Sequence, residues 1–327
     1  MIAQDSPPPL PSPSSWFRDF GKRCFAFWYG EAPPQTLGVF RILLGLYLLI
    51  GWGSVAPRVA LYYSSEGMAF PILDPPAGPA SNLRDLLAIL IQPPEPEVAY
   101  LLYAIVLGLA VLILVGWWTR PALIMFATLY CYYWLLQLHS LQSSFDRLVL
   151  VITILLACGE CDAVFSLRAR WRRRRGMDPV RLVPIWPARL IAAQIAFMYF
   201  GTGVFKILAP GWTGGEMLYY SLQGDWASPL AFWLVQWDLP MSFYHVMVLA
   251  TIVIEVWAPW MLFHPVWQKP FFILGFCFHF SISVLLNIWP FMIMPAAYVL
   301  FIDPATFRDW SEAIGARWPF RSRVLKE

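Results

Sequence analysis

Charge is what this sequence has least of. Asp, Glu, Lys and Arg make up 13% of its 327 residues, against 59% hydrophobic residues and a mean hydropathy of +0.59. A soluble domain of this length would need far more charge to cover its surface, so the composition excludes a water-soluble enzyme and predicts a polytopic helical membrane protein. Lysine is scarcer still, confined to Lys22, Lys206, Lys269 and Lys326. The four histidines are too scattered for a ligand pattern such as H-x-x-x-H, so no metal site is predicted. The five cysteines are odd in number and imply no disulfide framework. Residues 1–15 are rich in Pro and Ser, and no small-residue cleavage site accompanies the first long apolar segment, which is therefore expected to stay as a membrane helix.

What the sequence has in quantity is long apolar segments. The hydropathy pattern predicts an all-α, polytopic integral membrane bundle of about eight spans: 36–55, 98–118, 121–139, 146–165, 188–208, 241–263, 270–287 and 288–302. Three regions follow: a Pro/Ser-rich N-terminus with an interfacial amphipathic helix (1–35), the transmembrane bundle (36–304) and a basic tail (305–327). Between the first two spans, Asn82 has the position of an N-cap for a short amphipathic helix over 82–91. If the N-terminus lies inside, Arg58 and Arg84 are the basic residues of the outer loops, while the arginine run 168–175 lies inside. That asymmetry predicts both termini cytoplasmic and the 209–240 loop external, and it makes the arginine run a topology determinant touching anionic lipid rather than nucleic acid.

Polar residues at membrane depth are the candidate sites. A cation in a span is costly unless it has a partner or a task, and Lys206 lies near the outer end of the fifth span on one face with Tyr199 and Gly203. Snorkelling to the headgroups is the simpler account of Lys206; a desolvated lysine acting as a base is the chemical one. Asp146, His139 and His245 are counted to the same outer level, and His279, Ser283 and Asn287 form a polar stripe rising along the seventh span. Arg41 and Glu255 both fall in the inner third and are expected to form a structural ion pair. Cys158 and Cys161 make a CxxC without the βαβ context of a redox motif. Beyond the lysine, Thr213 and Glu216 have capping-box spacing for a short external helix, and Trp212 is placed at headgroup level, either as part of an aromatic belt or as part of a lid.

Several blocks carry a resemblance: LGVFRILLGLYLLI (37–50), SLRAR with its basic loop, QIAFMYFGTGVFKI (194–207), GWTGGEML (211–218) and FHFSISVLLNIWPFMIMPAAYVLFIDP (278–304). In this order they resemble the transmembrane part of vitamin K-dependent γ-glutamyl carboxylase and its bacterial relatives, the horizontally transferred transmembrane (HTTM) domain proteins. The family block Y-F-x-x-G-V-K-K-L falls on residues 199–207, with its second lysine, the base that deprotonates reduced vitamin K, on Lys206. His279 matches a Phe-His of the family, Gln194 its helix-five glutamine, Arg41 its first-helix arginine and Glu255 an aspartate. A supporting histidine of the carboxylase falls near Phe145, leaving Asp146 as the nearest polar group, and the resemblance does not extend to the carboxylase's large lumenal region.

The resemblance implies a bacterial inner-membrane protein with a quinone- or lipid-sized pocket open to the outer side. Lys206 would be the general base there, supported by His279 and Asp146, with Gln194, Tyr199 and Trp212 binding the ligand. The implied cofactor is a reduced isoprenoid quinone. The reading of a different class is a non-enzymatic quinone- or lipid-binding module, or a scaffold partnering a redox protein. A solute transporter is disfavoured because no inverted repeat or broken helix pair is seen in the sequence.

Overall fold

A computed structural model describes residues 13–70, 73–137 and 144–317. Apart from one two-residue antiparallel bridge, its regular structure among the described residues is helical. In chain order the helices are α1 (Pro13–Tyr29), α2 (Gln35–Val55), α3 (Val59–Tyr63), α4 (Leu83–Leu90), α5 (Pro96–Val115), α6 (Thr119–Leu136), α7 (Ser144–Ala157) and α8 (Leu167–Arg174). Then come α9 (Trp186–Leu208), α10 (Glu216–Ser221), α11 (Pro229–Val235), α12 (Met241–Phe263), α13 (Gln268–Leu286), α14 (Ile293–Ala296) and α15 (Pro304–Arg317). The bridge pairs Ala32 with Val183 and Glu31 with Pro184, tying the chain before α2 to the chain before α9.

Among the described residues five helices are long and apolar enough to cross a membrane: Gln35–Tyr63, Pro96–Val115, Trp186–Leu208, Met241–Phe263 and Gln268–Leu286. A sixth candidate, Trp289–Phe301 with Pro304–Ile314, is bent by 94°. The expected eighth span is thus not one helix but short 3-10 and α turns, because Pro290 and Pro295 remove backbone donors that a continuous helix needs. The expected fourth span stops early, at Ala157, and at about 21 Å it is shorter than a ~30 Å hydrocarbon core. Helix α6, about 27 Å long, is an intermediate case rich in Tyr.

The α6–α7 hairpin nonetheless packs into the bundle, α6 against α5 and α7 against α9. At one end of α6, Gln137 donates to the carbonyl of Tyr62 and Leu136 accepts from Phe70. At the other end, Arg120 donates to Ala157. Several local expectations are met: Asn82 caps α4 by accepting from the Asp85 amide, and α1 covers the predicted interfacial segment. His139 and residues 318–327 of the basic tail lie outside the described residues.

Arg41 corrects one expectation and explains the core. It is fully buried, yet Glu255 is not its partner. Its Nε donates to the carbonyl of Cys161 (3.1 Å), Nη1 to Ile113 (2.6 Å) and Leu114 (2.5 Å), and Nη2 to Phe165 (2.6 Å). Two of these carbonyls belong to the last turn of α5, where a helix leaves its acceptors unpaired. Gly116 makes room: with φ +73° it turns the chain, and a Cβ there would sit 2.9 Å from the guanidinium carbon. The guanidinium therefore staples α2 to the end of α5 and to the segment between α7 and α8 by hydrogen bonding.

Candidate functional site

The site is built where α9 and α12 come closest. Gly203 faces Glu255 and Val256, and a Cβ on it would lie 2.8 Å from Val256 Cγ2 and 3.0 Å from Glu255 Cβ. That approach sets the register between the two helices. One turn beyond Gly203, Lys206 meets Glu255: Nζ donates to Oε2 at 2.7 Å and to Oε1 at 2.8 Å, with the side chains only 13% and 8% exposed. Lys206 thus neither snorkels nor stands alone. The depth count misplaced Glu255 because it measured each helix from its own end, whereas the glycine contact offsets the two helices along their axes.

The chain after α9 folds back over this pair. Pro210 and Gly211, the latter at φ +82°, turn Trp212 so that its ring centroid lies 5.1 Å from Lys206 Nζ, within cation–π range. The expected capping box from Thr213 does not form. Gly215 caps α10 instead, in a left-handed conformation, because a Cβ there would lie 2.6 Å from the His245 amide nitrogen. The absent side chain lets α10 rest on the start of α12. The remainder of the segment between α9 and α12 is held by Ser228 N donating to Leu285 O and Asn287 Nδ2 donating to Trp226 O, so it is docked on the end of α13.

On the opposite wall, His279 of α13 is 2% exposed, and its Nε2 lies 2.5 Å from the hydroxyl of Tyr199. Tyr199 in turn lies 2.5 Å from the hydroxyl of Tyr298. Gly275, one turn before His279, allows this chain: a Cβ there would fall 2.1 Å from the Tyr298 hydroxyl. His279 Nδ1 is buried without any partner. Since Nε2 is donor or acceptor according to the tautomer, Nδ1 offers the complementary role to a ligand oxygen.

Lys206, Glu255, Tyr199, His279 and Trp212 line one cavity of about 290 Å³. A second, of about 590 Å³ and mostly apolar, lies between α12 and α13 and shares Leu218, Thr251, Phe278, Ile282 and Leu286 with the first. Two expected site residues are elsewhere. Gln194, more than one turn before Tyr199 on α9, is not among the residues lining either cavity. Asp146 accepts from Tyr130 (2.7 Å) and borders a separate cavity of about 150 Å³ with Tyr47, Tyr63 and Trp289. Phe145, packed 4.0 Å from Phe291 between ring centroids, stands between the two, so α7 turns its carboxylate away from the lysine.

Sequence reasoning missed Glu255 as the partner of Lys206, and it missed Tyr298. The small residue Gly275 opposite a tyrosine is the signal for the latter, but only the packing reveals it. No group of three or more His, Cys, Asp or Glu residues among those described is arranged to hold a metal ion. In the CxxC, Cys158 is exposed and Cys161 is buried beside Arg41.

The architecture, a multi-pass helical bundle with a polar cluster at the α9–α12–α13 junction, agrees with the family comparison: the HTTM domain matches residues 29–310. The chain belongs to the HTTM domain family. The match spans the whole bundle from the end of α1 to the first half of α15, and it includes every residue of the Lys206 cavity. No curated protein and no solved structure matches the chain.

Proposed function

We propose that this HTTM protein binds a quinone- or lipid-sized amphiphile and acts on it with Lys206 as a general base, in the manner of the vitamin K-dependent carboxylase. The observation that carries this reading is a cavity holding Lys206, Glu255 and His279 in an otherwise apolar lining, adjoining a second, apolar cavity with which it shares five wall residues. A polar head fits the first and an isoprenoid or acyl tail the second. The unpartnered Nδ1 of His279 fits an oxygen on the head. A reduced isoprenoid quinone bound there would supply an acidic hydroxyl and reducing equivalents for dioxygen.

The chain's own part is proton handling. Transfer of a proton from Nζ to the carboxylate of Glu255, 2.7 Å away, leaves a neutral amine able to accept a proton from the ligand. Trp212 covers the amine and excludes water. His279, fixed through Tyr199 and Tyr298, orients the ligand oxygen. In this reading the bundle crosses a bacterial inner membrane eight times, α6 and α7 included, with both termini cytoplasmic, residues 1–35 and 305–327 flanking the bundle at the inner side, and the cavity beneath the outer surface.

A second reading, a quinone or lipid carrier or a scaffold for a redox protein, is favoured by one fact. Both carboxylate oxygens of Glu255 are engaged with Nζ, as in a purely structural pin between α9 and α12. The two readings separate on Lys206→Arg, which keeps the ion pair but does not release its proton. Protein in nanodiscs, supplied with a reduced isoprenoid quinone under air, is expected to turn it over as wild type and to bind it without turnover as Lys206→Arg or Lys206→Ala. Equal turnover by both variants rules out the base; binding without turnover even in wild type establishes the carrier.

A further inference from the structure

A different cavity, of about 740 Å³, opens at the other end of α9, near α1 and the start of α13. Its mouth at Arg189 lies about 25 Å along α9 from Lys206, and its lining extends along the helix to Phe200. Its depth is apolar: Ala193, Ala196, Phe197 and Phe200 run along one face of α9 toward the middle of the helix, and Phe197 is 73% exposed. Its mouth is charged. Arg189 lines it with the guanidinium carbon 4.4 Å above the Phe27 ring, and Asp303 lines it as well.

Arg189 and Asp303 border one opening as opposite charges that attract across it without closing to a direct ion pair, which leaves room for a group between them. Two further polar atoms of opposite character are buried without partners there: Arg189 Nε, a donor, and Gln268 Oε1, an acceptor. Unpartnered groups of this kind are costly in an apolar wall. Together they ask for an occupant that is apolar below and carries both an acceptor anion and a donor cation above.

We propose that this cavity is a binding site for a phospholipid whose headgroup carries a phosphate and a primary ammonium, as phosphatidylethanolamine does. The phosphate accepts from Arg189, the ammonium donates to Asp303 and Gln268, and an acyl chain lies along the α9 face. A purely anionic headgroup would leave Asp303 facing a like charge. A choline headgroup has no N–H to give to Gln268 Oε1. The site is independent of the Lys206 cavity and of any activity there.

The test is native mass spectrometry of delipidated protein in detergent, titrated separately with phosphatidylethanolamine, phosphatidylglycerol and phosphatidylcholine. Wild type is expected to bind the ethanolamine lipid about tenfold more tightly than either other lipid, as the loss of one hydrogen bond to a charged group implies. Asp303→Asn should erase the preference, Arg189→Gln should weaken binding of all three lipids about equally, and Arg189→Lys should retain both the affinity and the preference. Asparagine can still accept the Thr306 amide bond that Asp303 accepts at the start of α15, so Asp303→Asn keeps that turn. Equal or tighter binding of phosphatidylglycerol by wild type overturns the proposal whatever the variants do. So does a preference left intact in Asp303→Asn.

Discussion

At the residue scale, two buried cations show how different solutions satisfy the same cost. Lys206 is neutralised by Glu255, whereas Arg41 is satisfied by four carbonyls and no carboxylate. Removing one member of a buried pair strands the other, so Lys206→Ala is expected to cost about 3–5 kcal/mol, while Lys206→Met combined with Glu255→Leu should stay near wild-type stability. Thermal unfolding of the purified variants in one detergent measures both; a double variant as unstable as the single one would refute this account of the pair. Arg41→Met leaves the acceptors at the end of α5 and in the segment between α7 and α8 unpaired, and a loss of about 3 kcal/mol or more is expected. Arg41→Lys should not restore it, since one ammonium lacks the fork that reaches carbonyls on two separate segments. That Lys206 and Arg41 needed compensation was legible from their position in apolar segments. Which groups compensate them was not, because the partners are 49 residues away for Lys206 and 72 to 124 for Arg41.

At the element scale, glycines fix how helices meet. Gly203→Ala places a methyl against the backbone of Val256 and should separate α9 from α12 at a cost of about 1–3 kcal/mol, stretching the Lys206–Glu255 contact with it. Gly275→Ala should displace the Tyr298 hydroxyl and free Tyr199 and His279, lowering ligand affinity more than overall stability; a titration with the bound amphiphile, alongside a melting curve, distinguishes the two effects. Caps were partly legible. Asn82 behaves as its residue type predicts, but at α10 the tertiary contact with α12 selected Gly215 over the Thr213 box. The short helix α4, outside the membrane-spanning helices, also gives a pH prediction. Hydrogen bonds from the Ser81 hydroxyl, then the Ser81 amide, hold the Asp85 carboxyl below its ordinary range. A depressed folded-state value means the stabilisation is present above the ordinary carboxylate pKa and is lost as pH falls through the folded-state value. Protection of the Leu83–Leu90 amides against exchange, taken relative to their intrinsic rates at each pH, should therefore fall on acidification, and Asp85→Asn should flatten that response.

At the scale of the whole molecule, the open question for topology is the α6–α7 hairpin. Whether or not it crosses, the loops on either side keep their sidedness, since two crossings are added or removed together. The connection after Leu136 is therefore the informative point. In the eight-span arrangement a single cysteine at Gln137, in an otherwise cysteine-free background, is expected to react with an impermeant maleimide added outside intact cells, as one at Asn82 does, while one at Arg174 is protected. Protection at Gln137 with labelling at Asn82 would mean that the hairpin does not cross.

By itself the sequence determined the class of molecule, the membership of most helices and the membrane depth at which chemistry is affordable, because these depend on composition and local periodicity along one segment. It also carried the family resemblance and singled out Lys206. Only the tertiary structure decided that Glu255 belongs to Lys206 and not to Arg41, that Asp146 faces a tyrosine-lined cavity, and that Tyr298 completes the chain to His279. Those outcomes depend on the axial offset and rotation of neighbouring helices. Contacts such as Gly203 against Val256 set that offset, and no pattern within a single helix records it.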